Sequence, residues 1–248
     1  MFKSVQVSRV HAEIGRQIAR RIIAGDLEAG QYLPTETELT RDFGVSRVAV
    51  REALRSLAQR GLLEQSQGRR TVILPIEKWD VFDPMVLSIM REEGKIFPVL
   101  KDFTWIRLNL EPAVAAEAAK NSSPELVASL EAIVAEMERL QEEHEGYYIA
   151  DLDFHARLAT AMGNRVLHRL MKVMGTLFSP ERRLPEDAPY ASPSKGVKDH
   201  KAIIKAIADR DAERAHELMR KHIAWAAKGI EQMYGSGAKL PPLPKDEA

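Results

Sequence analysis

The run from Pro34 to Leu74, PTETELTRDFGVSRVAVREALRSLAQRGLLEQSQGRRTVIL, leaves this chain few choices of local fold. It reads as two helices joined by a tight turn and followed by a short hairpin. Thr35, with Glu38 three residues on, makes a capping box in which each side chain satisfies an orphaned backbone donor. Gly44 supplies the turn. Ser46 caps the second helix, and Val45 and Val50 are placed as a hydrophobic staple. Arg47, Arg51 and Arg55 recur every four residues along one face of that helix, while Val50, Leu54 and Leu57 line another face suited to a core. A Ser-capped basic helix, preceded by a short helix and a Gly turn, is the arrangement that enters a DNA major groove. Gln67 and Gly68 then make a hairpin tip, with Arg69 and Arg70 behind it as a wing beside the groove.

The formal net charge of zero conceals an asymmetry. Residues 1–75 carry 12 Lys and Arg against 8 Asp and Glu, net +4, and residues 76–248 carry 24 against 28, net −4. The basic excess sits with the helix-turn-helix segment, as phosphate contacts require. A chain of 248 residues has the length for two domains. It has no cysteine, which excludes disulfides, thiolate metal sites and cysteine catalysis. No apolar run reaches the roughly 18 residues of a membrane span, and MFKSVQVSRVHAEIGRQIARR lacks the apolar core of a secretory signal. A soluble cytoplasmic protein without membrane contact is expected.

Punctuation and periodicity predict a mainly α fold: an N-terminal winged helix-turn-helix domain, residues 1–75, and a C-terminal all-α bundle, residues 85–234. Residues 76–84 are the expected linker, packed through Trp79 and Phe82. Residues 1–8 and the tail 235–248 are expected to be loose. An amphipathic helix is predicted over 9–25, with Val10, Ile14, Ile18, Ile22 and Ile23 on its apolar face. Further helices are predicted near 84–93, 96–120, 123–143, 146–162, 165–178, 193–209 and 211–234. Ser123-Pro124 is a helix start, Gly163 and Asn164 divide two helices, and Pro180 and Pro185 bound a polar loop reaching Ser192. Pro112 lies inside a helical pattern, which it should end or kink.

Asp151 and His155, in ADLDFHARL, stand four apart and so share a helix face. His200 and His222 lie on two consecutive helices linked by residues 208–211, and antiparallel packing brings them to similar depth. One carboxylate and three imidazoles in a bundle core suit a borderline divalent cation such as Zn²⁺, with coordination positions left for water or a ligand's oxygens. Spacing alone also fits a satisfied core histidine and a surface Asp–His pair. His11, His144, His168 and His216 have no partner pattern and are read as structural or surface residues.

The PTETEL, GVSRVAVREALRSLAQRGLL and QGRRT segments, with IGRQIARRIIAGDLEAGQYLP upstream, resemble the winged helix-turn-helix of the GntR family of bacterial transcription regulators. The resemblance implies DNA contacts by Ser46, Arg47, Arg51 and Gly68. Thr37 departs from it, since many relatives carry Arg or Ser there. From about Asp83 to Tyr234 the chain resembles the FCD ligand-binding domain of the FadR subfamily, through IRLNLEPAVAAEAA, DLDFHARLATAMGNRVL and DHKAIIKAIADRDAERAHELMRKHI. That resemblance implies a metal held by Asp151, His155, His200 and His222, with Zn²⁺, Ni²⁺ or Mn²⁺ accommodated. It also implies an effector-facing role for Arg107, whose planar fork matches a carboxylate. By spacing alone, Arg107 could equally pair with Glu111, four residues on. The linker EKWDVFDPMVL is similar to that of regulators responsive to sugar acids such as galactonate.

The resemblance implies a metabolite-responsive repressor, not an enzyme, binding a pseudo-palindromic double-stranded operator as a homodimer. Arg69 and Arg70 would contact phosphate or the minor groove. A small organic acid, a sugar acid or another hydroxycarboxylate, would bind the metal and Arg107. Two alternatives share the four ligands. One is a helical metallohydrolase, against which stand the absence of an HExxH helix and of a general base beside the ligands, Asp153 lying two residues off their face. The other is a regulator with a purely structural metal. Asn164 is expected to cap the helix after it, and Arg182 and Arg183 to border a solvated loop.

Overall fold

The computed structural model describes residues 8–66, 68–177 and 192–234. The expectations for residues 1–7, for Gln67 at the hairpin tip, for Pro180, Arg182, Arg183 and Pro185, and for the tail 235–248 lie outside the described residues. The chain divides into two compact units, residues 1–96 and 97–248.

The first unit begins with α1 (Ser8–Ala24), which buries Ile14, Ile18, Ile22 and Ile23 while Val10 is left exposed. α2 (Glu36–Phe43) has the expected capping box: Glu38 N donates to Thr35 Oγ1 at 3.3 Å, and Thr35 N donates to Glu38 Oε2 at 2.7 Å. Gly44 ends it in the left-handed conformation that a side chain disfavours, φ 64°. Ser46 caps α3 (Arg47–Gln59), accepting from Ala49 N. α1 and α2 both pack on α3. Val50, Leu54 and Leu57 are buried there, each worth about 1.5–3 kcal/mol relative to exposure.

The wing is antiparallel, β1 (Leu63–Glu64) with β2 (Val72–Ile73). Sequence periodicity did not reveal its third member. The segment 30–33 lies along β2, with Gly30 N donating to Ile73 O, Ile73 N to Gln31 O and Leu33 N to Thr71 O. The connector after the wing is pinned. Trp79 Nε1 donates to Leu74 O, Asp80 N to Arg60 O, and Arg60 Nε to Asp83 Oδ2. Phe82, expected to pack, is instead 47% exposed. α4 (Pro84–Glu92), capped by Asp83, packs on α1, where Glu92 accepts from Arg16 and Arg20.

Gly61 meets this connector closely. Its φ is 73°, and a Cβ there would stand 1.9 Å from Lys78 O, a backbone atom that cannot swing aside. Gly61→Ala is therefore expected to lower unfolding stability by about 2–3 kcal/mol, from a strained backbone plus displacement of the connector. Urea unfolding measures it, and an unchanged midpoint would show that this approach is not maintained in solution.

The second unit holds α5 (Phe97–Lys120), α6 (Pro124–Arg139), α7 (His144–Ala161), α8 (Arg165–Leu177), α9 (Pro193–Ala208) and α10 (Ala212–Tyr234). α5 packs on α10, α9 and α7, while α6 packs on α7 and α9. Ser123 and Asn164 cap α6 and α8 as the sequence suggests. Pro112 does not end its helix: α5 runs through it to Lys120. The lost N–H costs one backbone bond, but Leu108, Glu111, Val114 and Ala115 around it are all buried, and their packing outweighs that loss.

Candidate metal centre and nucleic-acid interface

α7 presents Asp151 and His155 one turn apart, α9 presents His200 and α10 presents His222. The structure brings these four together, one potential ligand atom from each lying within 4.8 Å of all the others. The three histidines are 3%, 0% and 4% exposed, and Asp151 is half-buried. The His200 ring centroid is 4.4 Å from that of His222, and each is 5.4 Å from His155. Phe154 closes one side, 4.1 Å from His200.

Buried imidazole nitrogens ordinarily have hydrogen-bond partners. Here Nδ1 and Nε2 of His155, both nitrogens of His200, and Nδ1 of His222 are buried without one among the described residues. Burial pushes the His200 imidazole well below its ordinary pKa, and His222, His155 and Arg107 push it further. His222 is lowered chiefly by burial, against opposition from Asp199 and Asp151. His200 and His222 are thus held neutral, with lone pairs available, as metal ligation requires. Three buried imidazoles and one carboxylate gathered in one cluster fit a borderline divalent cation.

Behind them lies a buried charge relay. Arg107 Nε donates to Glu111 Oε1 at 2.5 Å, and Glu111 Oε2 lies 2.6 Å from His155 Nδ1, close but without hydrogen-bond alignment. Burial alone would raise the Glu111 carboxyl, but the Arg107 guanidinium and then His155 outweigh it and hold it well below the usual carboxylate range. The Arg107–Glu111 pair that spacing allowed is therefore formed. Glu111 also reaches the Asp–His cluster, which periodicity along α5 could not reveal because His155 belongs to another helix. Asp199 was missed altogether. Its Oδ2 lies 3.5 Å from His222 Nδ1, and the only sequence signal is its place beside His200. Asp153 is exposed and offers no general base to the cluster.

On the first unit, Arg47, Arg51 and Arg55 are exposed along the outer side of α3. Arg47 Nη2 donates to Thr37 Oγ1 at 3.4 Å and Arg51 Nε to Glu36 Oε2 at 2.7 Å, so α2 holds both guanidinium groups. Val48, 70% exposed, shares that outer side and was not singled out from sequence. The Ser46 hydroxyl serves as helix cap. In the wing Gly68 has φ 73°, Arg69 is exposed, and Arg70 lies over the Tyr32 ring, 5.1 Å from its centroid, with Nη2 3.4 Å from Leu33 O.

A winged helix with an arginine-lined second helix, followed by an all-α domain with a buried Asp–His cluster, is the arrangement of a DNA-binding transcription regulator with a second, helical domain. Residues 11–73 match the family described as bacterial regulatory proteins, gntR family, and residues 102–224 match the FCD domain. The chain belongs to the GntR family and carries a C-terminal FCD domain. It is similar to the galactonate operon transcriptional repressor of Escherichia coli (strain K12), 26% identical over 216 residues, covering 87% of this chain and 94% of that protein. The HTH-type transcriptional repressor NanR of Klebsiella aerogenes is 25% identical, covering 87% and 85%. A solved structure, of the Lar protein that controls expression of the Listeria monocytogenes agr system, shares the fold with a TM-score of 0.52. It is 20% identical, with 94% of this chain and 99% of that one covered. Among the described residues no helix is long and apolar enough to cross a membrane.

Proposed function

We propose that this regulator is a cytoplasmic, homodimeric repressor whose FCD domain binds a divalent cation and a small organic acid, and whose winged helices release a pseudo-palindromic operator when the acid binds. Asp151, His155, His200 and His222 would hold the cation, with Zn²⁺ the best match and Ni²⁺ or Mn²⁺ accommodated. The observation that carries this is the cluster of three buried histidines with Asp151, one potential ligand atom from each lying within 4.8 Å of the others, whose imidazoles carry five nitrogens without hydrogen-bond partners among the described residues. Bound there, the cation supplies positive charge and open positions for a ligand's oxygens.

The acid is a sugar acid or another hydroxycarboxylate. Similarity to a galactonate operon repressor supports that class, and buried Arg107 supplies a guanidinium fork beside the cluster. On DNA, Ser46, Arg47 and Arg51 anchor α3 in the major groove, and Gly68, Arg69 and Arg70 follow the backbone or minor groove. Val48 offers an apolar contact for a thymine methyl. For the acid to act as a switch, it must bind the DNA-free arrangement more tightly than the DNA-bound one.

One observation favours a second reading. Arg107 is already engaged by Glu111, as it would be if the metal were structural and the acid bound elsewhere. A thermal-shift screen of sugar acids and hydroxycarboxylates, with and without Zn²⁺, separates the two. A metal-dependent rise with one acid is the expected result. A response to acid that survives loss of the metal would favour the structural role.

A further inference from the structure

We propose that Glu111 and Asp199 are positioning residues of the metal centre, each turning one imidazole, His155 and His222 respectively, so that its Nε2 faces the cation. This rests on the metal assignment proposed above. Neither carboxylate belongs to the four-residue cluster, and each approaches its histidine from a different helix. Glu111 on α5 is 3% exposed, and its Oε2 is 2.6 Å from His155 Nδ1 on α7. Asp199 on α9 places Oδ2 3.5 Å from His222 Nδ1 on α10.

Both carboxylates are themselves held in place. Arg107 Nε and Nη2 engage the two oxygens of Glu111. Lys195 Nζ donates to Asp199 and lies 4.8 Å over the Trp225 ring. Carboxylates fixed in this way select the imidazole tautomer with the proton on Nδ1. They leave the Nε2 lone pair for a cation, fix the ring plane and raise the basicity of the ligand. The two contacts stand at or near bonding distance without alignment, and coordination through Nε2 would complete them. A purely structural role explains Glu111 only in part, because the oxygen that accepts from Arg107 Nη2 at 3.4 Å also lies 2.6 Å from His155 Nδ1. It explains Asp199 less well, since Lys195 is partly exposed and has no need of a buried histidine as neighbour.

Zn²⁺ affinity, measured by chelator competition on the full chain, tests this in the wild type, Glu111→Gln and Asp199→Asn. Each variant is expected to weaken Zn²⁺ binding by about 10- to 100-fold, and metal-free Asp199→Asn is expected to melt as the wild type does. Nitrogen NMR of the Zn²⁺-loaded wild type should show His155 and His222 protonated at Nδ1 and ligated through Nε2. Glu111→Gln removes the carboxylate paired with buried Arg107. Should that variant not fold, Asp199→Asn, at a side chain 23% exposed, decides alone. Affinities within twofold of wild type in folded variants would overturn the proposal, as would complete loss of the metal, which would make the carboxylate a ligand. A wild type that binds no Zn²⁺ would instead overturn the metal assignment itself.

Discussion

His200→Ala protein, purified beside the wild type, is expected to carry almost no divalent metal, whereas the wild type carries one ion per chain. His200 is fully buried, and its ring sits against those of His155, His222 and Phe154, so no solvent-exposed group can take over its lone pair. The loss extends to stability. A cation bound only by the folded state at about 100 times its Kd adds roughly 2.7 kcal/mol, which for a chain of this size is about 5–10 °C in Tm. Chelation should lower the wild-type Tm by that amount and leave His200→Ala unmoved. Because alanine also leaves a cavity, Asp151→Asn is the companion variant, keeping shape at a half-buried position. Elemental analysis and thermal melts decide. Metal retained at wild-type stoichiometry in both variants would show that these residues are not the ligands.

The second large effect concerns DNA. Arg47→Ala with Arg51→Ala is expected to weaken binding to a selected operator by about 2–6 kcal/mol, if each guanidinium makes a bidentate base contact worth about 1–3 kcal/mol. Their present partners, Thr37 and Glu36, do not compete strongly. Both contacts are exposed, and exposed pairs contribute little. Fluorescence anisotropy at fixed salt reads the affinity, and its salt dependence separates the two kinds of contact. Loss of base contacts lowers the ratio of specific to non-specific binding at an unchanged salt slope. Loss of phosphate contacts reduces the slope by about one per arginine. Operator affinity unchanged in the double variant would remove α3 from the interface.

Much of this fold is legible in the chain because its signals are local. Thr35 with Glu38, Ser46, Ser123-Pro124 and Asn164 announce helix starts within three residues of themselves, and the helices appear where they point. Pro112 is as local a signal, but α5 does not end at it. The proline penalty is local, but the packing of α5 against three other helices is not, and the packing prevails. Distance in the chain hides the rest. The pairing of residues 30–33 with β2 spans some forty residues without a turn signal. Asp151 and His155 share a visible helical spacing, whereas the approach of His200 and His222 depends on how α7, α9 and α10 cross. Glu111 shows its partner on α5 four residues away and conceals its partner on α7.

The most direct test is operator binding by the full chain on a duplex selected from random DNA, titrated with hydroxycarboxylates before and after metal removal. The expected result is that one acid weakens DNA binding at least tenfold in the metal-loaded protein and has no effect once the metal is removed. DNA binding that responds equally with and without the metal, or to no such acid at all, would contradict a metal-centred acid switch.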